Sequence, residues 1–251
     1  MRTKYHKEIE FFFKKFFFSE KYLLKKRLER AIKNNYEPEL SLVKDFISPE
    51  TDCIDIGVYR GIYSYEMSKY SRNVHAFELN PLIFSFLNRN IPKIKKNIRL
   101  YNFGLSNQSV ETTLRVPIRN EFTHEENYEE FFEMGRATIH DKNKFDKYKS
   151  FKVEVKKLDD VKFENKISFL KIDVEGHEEK VIEGAIETIN KSKPILLVEI
   201  EEKHSKKKVA DTVSYINSLG YRSYYFDKNK LISTNNFRNF DSYNNYIFKS
   251  N

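Results

Sequence analysis

Phe169-Leu-Lys-Ile-Asp-Val-Glu-Gly-His-Glu-Glu-Lys-Val-Ile-Glu-Gly-Ala185 decides how the rest of this chain is read. The run opens as a short apolar strand, meets a carboxylate at Asp173, turns on Gly176 and continues with the spacing of an amphipathic helix. Asp173, Glu175, His177 and Glu178 crowd that one strand end, and core packing does not ask for them. Open α/β sheets place their ligands at the carboxyl ends of parallel strands. In isolation the same acids could be charges that favour a helix start, so the reading depends on what lies upstream.

Upstream stands Asp52-Cys-Ile-Asp-Ile-Gly-Val-Tyr-Arg-Gly-Ile-Tyr-Ser64, which reads as strand, glycine turn and helix. Asn73-Val-His-Ala-Phe-Glu-Leu-Asn-Pro81 follows as a second strand ending at Glu78, with Asn80-Pro81 opening a helix where proline is tolerated. An acid at the end of the second strand of a βαβ unit suits a ribose diol. A dinucleotide site wants Gly-x-Gly-x-x-Gly, because backbone must approach a pyrophosphate. Here the glycines are Gly57 and Gly61, and Asp55 stands just before the first. A carboxylate there repels phosphate and suits a ligand with an ammonium, a sulfonium and a ribose, which describes S-adenosylmethionine. A nicotinamide-dependent oxidoreductase on a similar sheet is disfavoured by the absent motif. A non-catalytic scaffold retaining the fold is the third reading.

Asp55-Ile-Gly-x-x-x-Gly61, Ala76-Phe-Glu-Leu-Asn-Pro81, Leu158-Asp-Asp160, Phe169 to Glu178 and Leu196-Leu-Val-Glu-Ile200 together resemble the successive motifs of the FkbM-type methyltransferases. The likeness runs from about Thr51 to the C-terminus, and Lys-Ile-Asp-Val-Glu-Gly is its specific part. The family usually has Ala-Asn where this chain has Val58-Tyr59. The resemblance implies a Rossmann-like, doubly wound, mostly parallel α/β sheet of the class I methyltransferase type, and a sugar or glycan acceptor. It also implies that Gly104 marks where backbone meets the adenine. The expected cofactor-facing set is Asp55, Gly57, Tyr59, Gly61, Glu78, Asn80, Gly104 and Asp173.

The net charge of +8 is unevenly placed. Residues 1–33 carry eleven Lys or Arg against four Glu, so the remainder is close to neutral and offers no basic face for a nucleic acid. The basic segment is rich in Phe, and Phe13, Phe17, Leu24 and Leu28 fall roughly on one helical face. Such a face can lie on an anionic membrane surface, pack over the sheet or pair with a second subunit. Treated as a helical extension over residues 1–48, ahead of a methyltransferase domain at 49–251, the segment is expected to be removable through residue 33 without loss of cofactor binding. No secretory signal or membrane-spanning run is visible, which points to a cytoplasmic protein, peripheral at the membrane at most. The single cysteine, Cys53, reads as a core residue.

Helices are expected over about 4–34, 38–47, 177–191 and 205–218. Strands are expected near 52–56, 73–77, 98–102, 109–116, 151–157, 167–172, 194–200, 221–226 and 245–249. From Pro117 to Ser150 the periodicity breaks, and a long irregular stretch of this kind is usually functional or mobile. Its charged and aromatic mixture, including Glu125, Tyr128, Phe131 and Arg136, is expected to build much of the acceptor site.

Methyl transfer from a sulfonium is an in-line displacement, so most of the catalysis is positioning. A hydroxyl acceptor also needs its proton removed. Asp173, Glu175 and His177 after one strand and Glu199 after the next are the candidates, with His177 the best-matched base by its ordinary pKa. Alternatively, Asp173 and Glu199 hold a divalent cation such as Mg²⁺ that acidifies the hydroxyl. His124, His140 and His204 read as surface residues.

Overall fold

The computed structural model describes residues 18–117, Ala137, Ile139, 148–202, 207–235 and 240–251. Phe13, Phe17 and the expected acceptor residues Glu125, Tyr128, Phe131 and Arg136 lie outside the described residues, as do His124, His140 and His204. In chain order the elements are α1 (Glu20–Lys33), a 3₁₀ turn (Pro38–Leu42), α2 (Val43–Phe46), β1 (Asp52–Ile56), α3 (Ile62–Met67), β2 (Asn73–Phe77), α4 (Pro81–Ile94) and β3 (Ile98–Tyr101). There follow β4 (Gly104–Leu105), β5 (Val110–Pro117), β6 (Tyr148–Lys156), β7 (Ile167–Ile172), α5 (Glu178–Glu183), α6 (Ile186–Ser192) and β8 (Ile195–Glu199). The chain closes with α7 (Val209–Ser218), β9 (Tyr221–Asp227), β10 (Lys230–Ser233) and β11 (Asn245–Ser250).

Eight strands form one sheet in the order β10-β9-β11-β8-β7-β1-β2-β3. From β8 to β3 every pairing is parallel, while β11 runs antiparallel between β8 and β9. The chain steps outward from β1 through β2 to β3, then crosses back and steps the other way from β7 to β8. Adjacent β1 and β7 therefore flank the switch point, and their carboxyl ends open onto a crevice.

Both central strands are covered on two faces, as their buried and largely apolar runs require. Cys53, Phe169 and Leu197 point to one cluster, with Leu24 and Leu28 of α1 and Leu87 and Ile91 of α4. Ile54, Leu170 and Leu196 point to the other, with Val181 of α5, Ile189 of α6 and Ile216 of α7. Helix α1 packs against α3 and α4 inside the first cluster. Leu24 and Leu28, expected to form a surface-seeking or core-seeking face, are thus core residues. The expectation that residues 1–33 are separable from cofactor binding meets a helix whose apolar face belongs to the central core. Among the described residues no helix is long and apolar enough to cross a membrane.

Three local departures have physical causes. The expected helix 177–191 breaks into α5 and α6 because Gly184 presses on another segment: a Cβ there would stand 2.0 Å from the Ser106 carbonyl oxygen. The unforeseen strand β10 folds back on β9 through Lys228 and Asn229, both at positive φ (47° and 61°), the geometry of a two-residue hairpin. The 38–47 helix is a 3₁₀ turn followed by one turn of α2. A second, three-stranded sheet, β4-β6-β5, stands apart from the main one.

At the amino ends of the strands one buried carboxylate ties the sheet together. Asp52 accepts from the backbone N–H and Nδ2 of Asn73 (3.1 and 2.9 Å) and from Asn165 Nδ2. Its Oδ2 lies 3.0 Å from Nε2 of His75, whose Nδ1 lies 3.0 Å from Tyr101 Oη. Burial holds the His75 pKa below its ordinary value even with Asp52 beside it. Strands β1, β2 and β3 and the lead-in to β7 are joined by this network.

Candidate active site

The turn after β1 is shaped by contact with β7. Gly57 adopts φ +83°, and a Cβ on it would fall 1.8 Å from the carbonyl oxygen of Asp173. Its first duty is to let the two strand ends close together, with Asp173 N–H donating to Ile56 O at 3.0 Å. Tyr59 follows at φ +47°. That bend carries its backbone N–H to Glu78 Oε2 at 2.8 Å, while Asn80 N–H donates to Glu78 Oε1 at 2.8 Å. The Asn80 side chain caps α4 by accepting from Leu82 N–H at 3.0 Å, leaving its Nδ2 buried without a partner. Burial pushes Glu78 up to about 7 despite these two donors.

The period of two along each strand sets which side chains meet. Asp55, Lys171 and Asp173 share the face of Cys53 and Phe169, and Asp55 pairs with Lys171 in the β1–β7 register. Lys171 is 3% exposed, in the middle of an otherwise apolar strand. Its ammonium donates to Asp173 Oδ2 at 2.8 Å and lies 4.7 Å from the centre of the Tyr63 ring. Burial disfavours its charge, but Asp173, Asp55 and Glu37 more than offset this and raise its pKa. Asp55 is fully buried and pushed up to about 6 by burial, with Lys171 and Ser64 pulling the other way. Ser64 Oγ donates to Asp55 Oδ2, and Asp55 Oδ1 has no partner. One step beyond the paired Ile172 and Val198, Glu199 ends β8 beside Asp173. Burial first, and Asp173 next, push Glu199 up to about 8.

A cavity of about 440 Å³ opens beside these groups; Asp55, Gly57, Tyr59, Lys171 and Asp173 line it together with Tyr36 and Glu37, and Glu199, next to Asp173, is not among its lining residues. Four of the residues expected from sequence are thereby gathered: Asp55, Gly57, Tyr59 and Asp173. Glu78 and Asn80 stand behind the glycine turn, and Gly61, at φ +75°, caps α3. Gly104 sits in β4, where a Cβ would press on Leu79 (3.1 Å) and Val155 (3.2 Å); this packing alone accounts for a glycine there. Lys171, Tyr63, Tyr36 and Glu37 were not anticipated. For Lys171 the signal was present, since a lysine two places before Asp173 must share its face. For Glu37 no signal existed, because nothing local ties it to a strand end.

His177 is not brought to the cavity. It is 7% exposed at the start of α5, with Nε2 2.9 Å from Ser106 Oγ. The histidine expected as general base is held to the β4–β5 turn by Ser106. Neighbouring Glu178, pushed to about 7 by burial, accepts from Gly176 N–H at 2.9 Å and closes the turn. Glu175 holds that turn at φ +54° and does not line the cavity. Among the described residues no group of three or more His, Cys, Asp or Glu could hold a metal ion. Asp173, one of the two candidate ligands, already receives an internal ammonium.

A parallel sheet that opens at the β1–β7 switch point, with one antiparallel strand slotted in near its far edge, is the fold of class I methyltransferases that use S-adenosylmethionine. The family profile of the methyltransferase FkbM domain matches residues 55–223, and the chain belongs to that family. Among solved structures, the FkbM methyltransferase of Methylobacillus flagellatus KT is similar at 16% identity and a TM-score of 0.51, over 81% of this chain and 44% of that one. The chain thus spans less than half the length of that relative. An rRNA methylase of Streptococcus thermophilus matches at 9% identity and a TM-score of 0.47, over 84% and 93% of the two chains. A Streptococcus mutans protein described as a methyltransferase and solved in complex with SAH matches at 10% and 0.48, over 86% and 96%. No curated protein matches the chain.

Proposed function

We propose that the domain methylates a hydroxyl of a sugar or glycan, with Glu199 taking the acceptor proton. The observation that carries this reading is the gathering of Asp55, Asp173 and Glu199 on one face of three adjacent strand ends, with Glu199 held at about 8. A carboxyl held there is a far stronger base once ionised than an ordinary glutamate, which suits general-base work near neutral pH. S-adenosylmethionine, when bound, supplies a methyl group on a positively charged sulfur.

The residues present fit that cofactor. Asp55 offers a buried, unpartnered Oδ1 on the cavity for an ammonium. Glu78 is oriented by two backbone N–H groups, each of which uses only one acceptor position of its oxygen, so the carboxylate can still accept from a ribose diol. Asp173, fixed by Lys171, is placed to orient an acceptor hydroxyl, and the Tyr36 and Tyr59 rings offer faces to apolar sugar surfaces. Incubation with methyl-labelled S-adenosylmethionine and a panel of nucleotide sugars, glycan fragments, catechols and peptides tests the acceptor class. Label is expected in a sugar-bearing member; incorporation confined to catechols or peptides overturns it.

A further inference from the structure

The match to the methyltransferase family begins at residue 55 and leaves the chain ahead of β1 unassigned. We infer that Glu37, from the link between α1 and the sheet, recognises the ammonium at the amino-acid end of the cofactor. This inference rests on the cofactor reading above. The link is pinned on both sides. Behind it, α1 buries Leu24, Leu28 and Ala31, and the chain turns at Asn35 (φ +52°) with Tyr36 N–H reaching back to Ala31 O at 3.3 Å. Ahead of it, Leu40 and Val43 are buried in the same cluster. Between the two, Glu37 precedes Pro38 and is extended (φ −128°, ψ 103°), as the proline ring demands of its predecessor.

Glu37 is half-buried on the wall of the cavity that also holds Asp55. Asp55 supplies the unpartnered buried oxygen on that cavity, and Lys171, the buried cation beside it, is engaged with Asp173. The charge of Glu37 reaches Lys171, Tyr63, Glu39 and Glu199 alike, raising the pKa of each. Glu39, two residues on, is buried with Oε2 unpartnered. Carboxyl groups from β1, the end of β7 and the α1 link therefore line one space, and an ammonium entering it meets both Asp55 and Glu37.

Two probes separate this from a structural role: S-adenosylhomocysteine, which carries the amino-acid end, and 5′-methylthioadenosine, which lacks it. Titration calorimetry on the full chain is expected to show Glu37→Gln weakening S-adenosylhomocysteine by about 10- to 100-fold, the range for a hydrogen bond to a charged group, with methylthioadenosine unchanged. Glu37→Asp should fall between. Equal loss of both probes, or unchanged S-adenosylhomocysteine affinity, overturns the inference and leaves the cofactor reading standing. Failure of the unaltered protein to bind either probe sinks both.

Discussion

Lys171 and Asp173 reach the cavity, whereas His177 and Glu178, a few residues further along the same turn, are spent on closing it. Both pairs are titratable, both sit at one strand end, and all but Asp173 are buried. What separates them is direction. Lys171 and Asp173 inherit the strand's period of two and face the side where Asp55 and Glu199 also point. His177 and Glu178 have left the strand and obey the needs of a helix start, one held to Ser106 and the other to Gly176. The richest cluster of ionisable letters in a sequence is therefore not the unit of chemistry; the face is.

The largest expected effect comes from removing the buried cation. Lys171→Met leaves Asp173 and Asp55 without their ammonium and should cost about 3 kcal/mol in urea unfolding. A loss below about 1 kcal/mol would show that the pair behaves as a surface ion pair and would dissolve the contrast. Next, Glu199→Gln should lower kcat by about 100-fold, the low end for loss of a general base, with little change in melting temperature. The partner experiment, His177→Ala, should do the opposite. It loses the contact to Ser106 and about 1–2 kcal/mol of stability, while kcat changes far less than in Glu199→Gln. If His177→Ala abolishes turnover in a folded protein, the assignment of roles to the two halves of the turn is reversed.

The smallest effect is a pH slope. Burial holds Asp55, Glu78, Glu178 and Glu199 at about 6, 7, 7 and 8. All are raised, so the folded protein binds protons more tightly than the unfolded chain. The stability these groups contribute is complete below their unfolded pKa values and is lost as pH rises through the folded ones. The melting temperature should fall as pH rises from about 5 to about 8. Saturating S-adenosylhomocysteine should flatten the Asp55 part of that slope, since a bound ammonium compensates its charge. A melting temperature that rises over the same interval would contradict the burial of these carboxyls.

Much of this architecture was legible because its signals are local. The apolar run ending at Asp173, the Gly57 turn and the acid at Glu78 each lie within one βα unit, where period and turn chemistry suffice. What local signals could not supply depends on segments distant in sequence. The hydrogen bond that holds His177 to Ser106 joins residues 71 apart in the chain. The close approach of Leu79 and Val155 to Gly104 likewise joins separate segments. The break between α5 and α6 follows from Ser106 pressing on Gly184. The segment around Leu24 and Leu28 showed its helical face plainly, yet not which surface would cover it.

The Asp52–His75–Tyr101 network that crosses the strands from the start of β1 has a bearing on how such a domain diversifies. Asp52 ties the amino ends of β1 and β2 and the approach to β7, and His75 carries the tie across to Tyr101 at the end of β3, so the strands are held in register by groups that no loop supplies. Loops at the carboxyl ends can lengthen, shorten or change composition, and a new acceptor can be accommodated, while the strands beneath keep their alignment. A register held from within the sheet makes the scaffold evolvable.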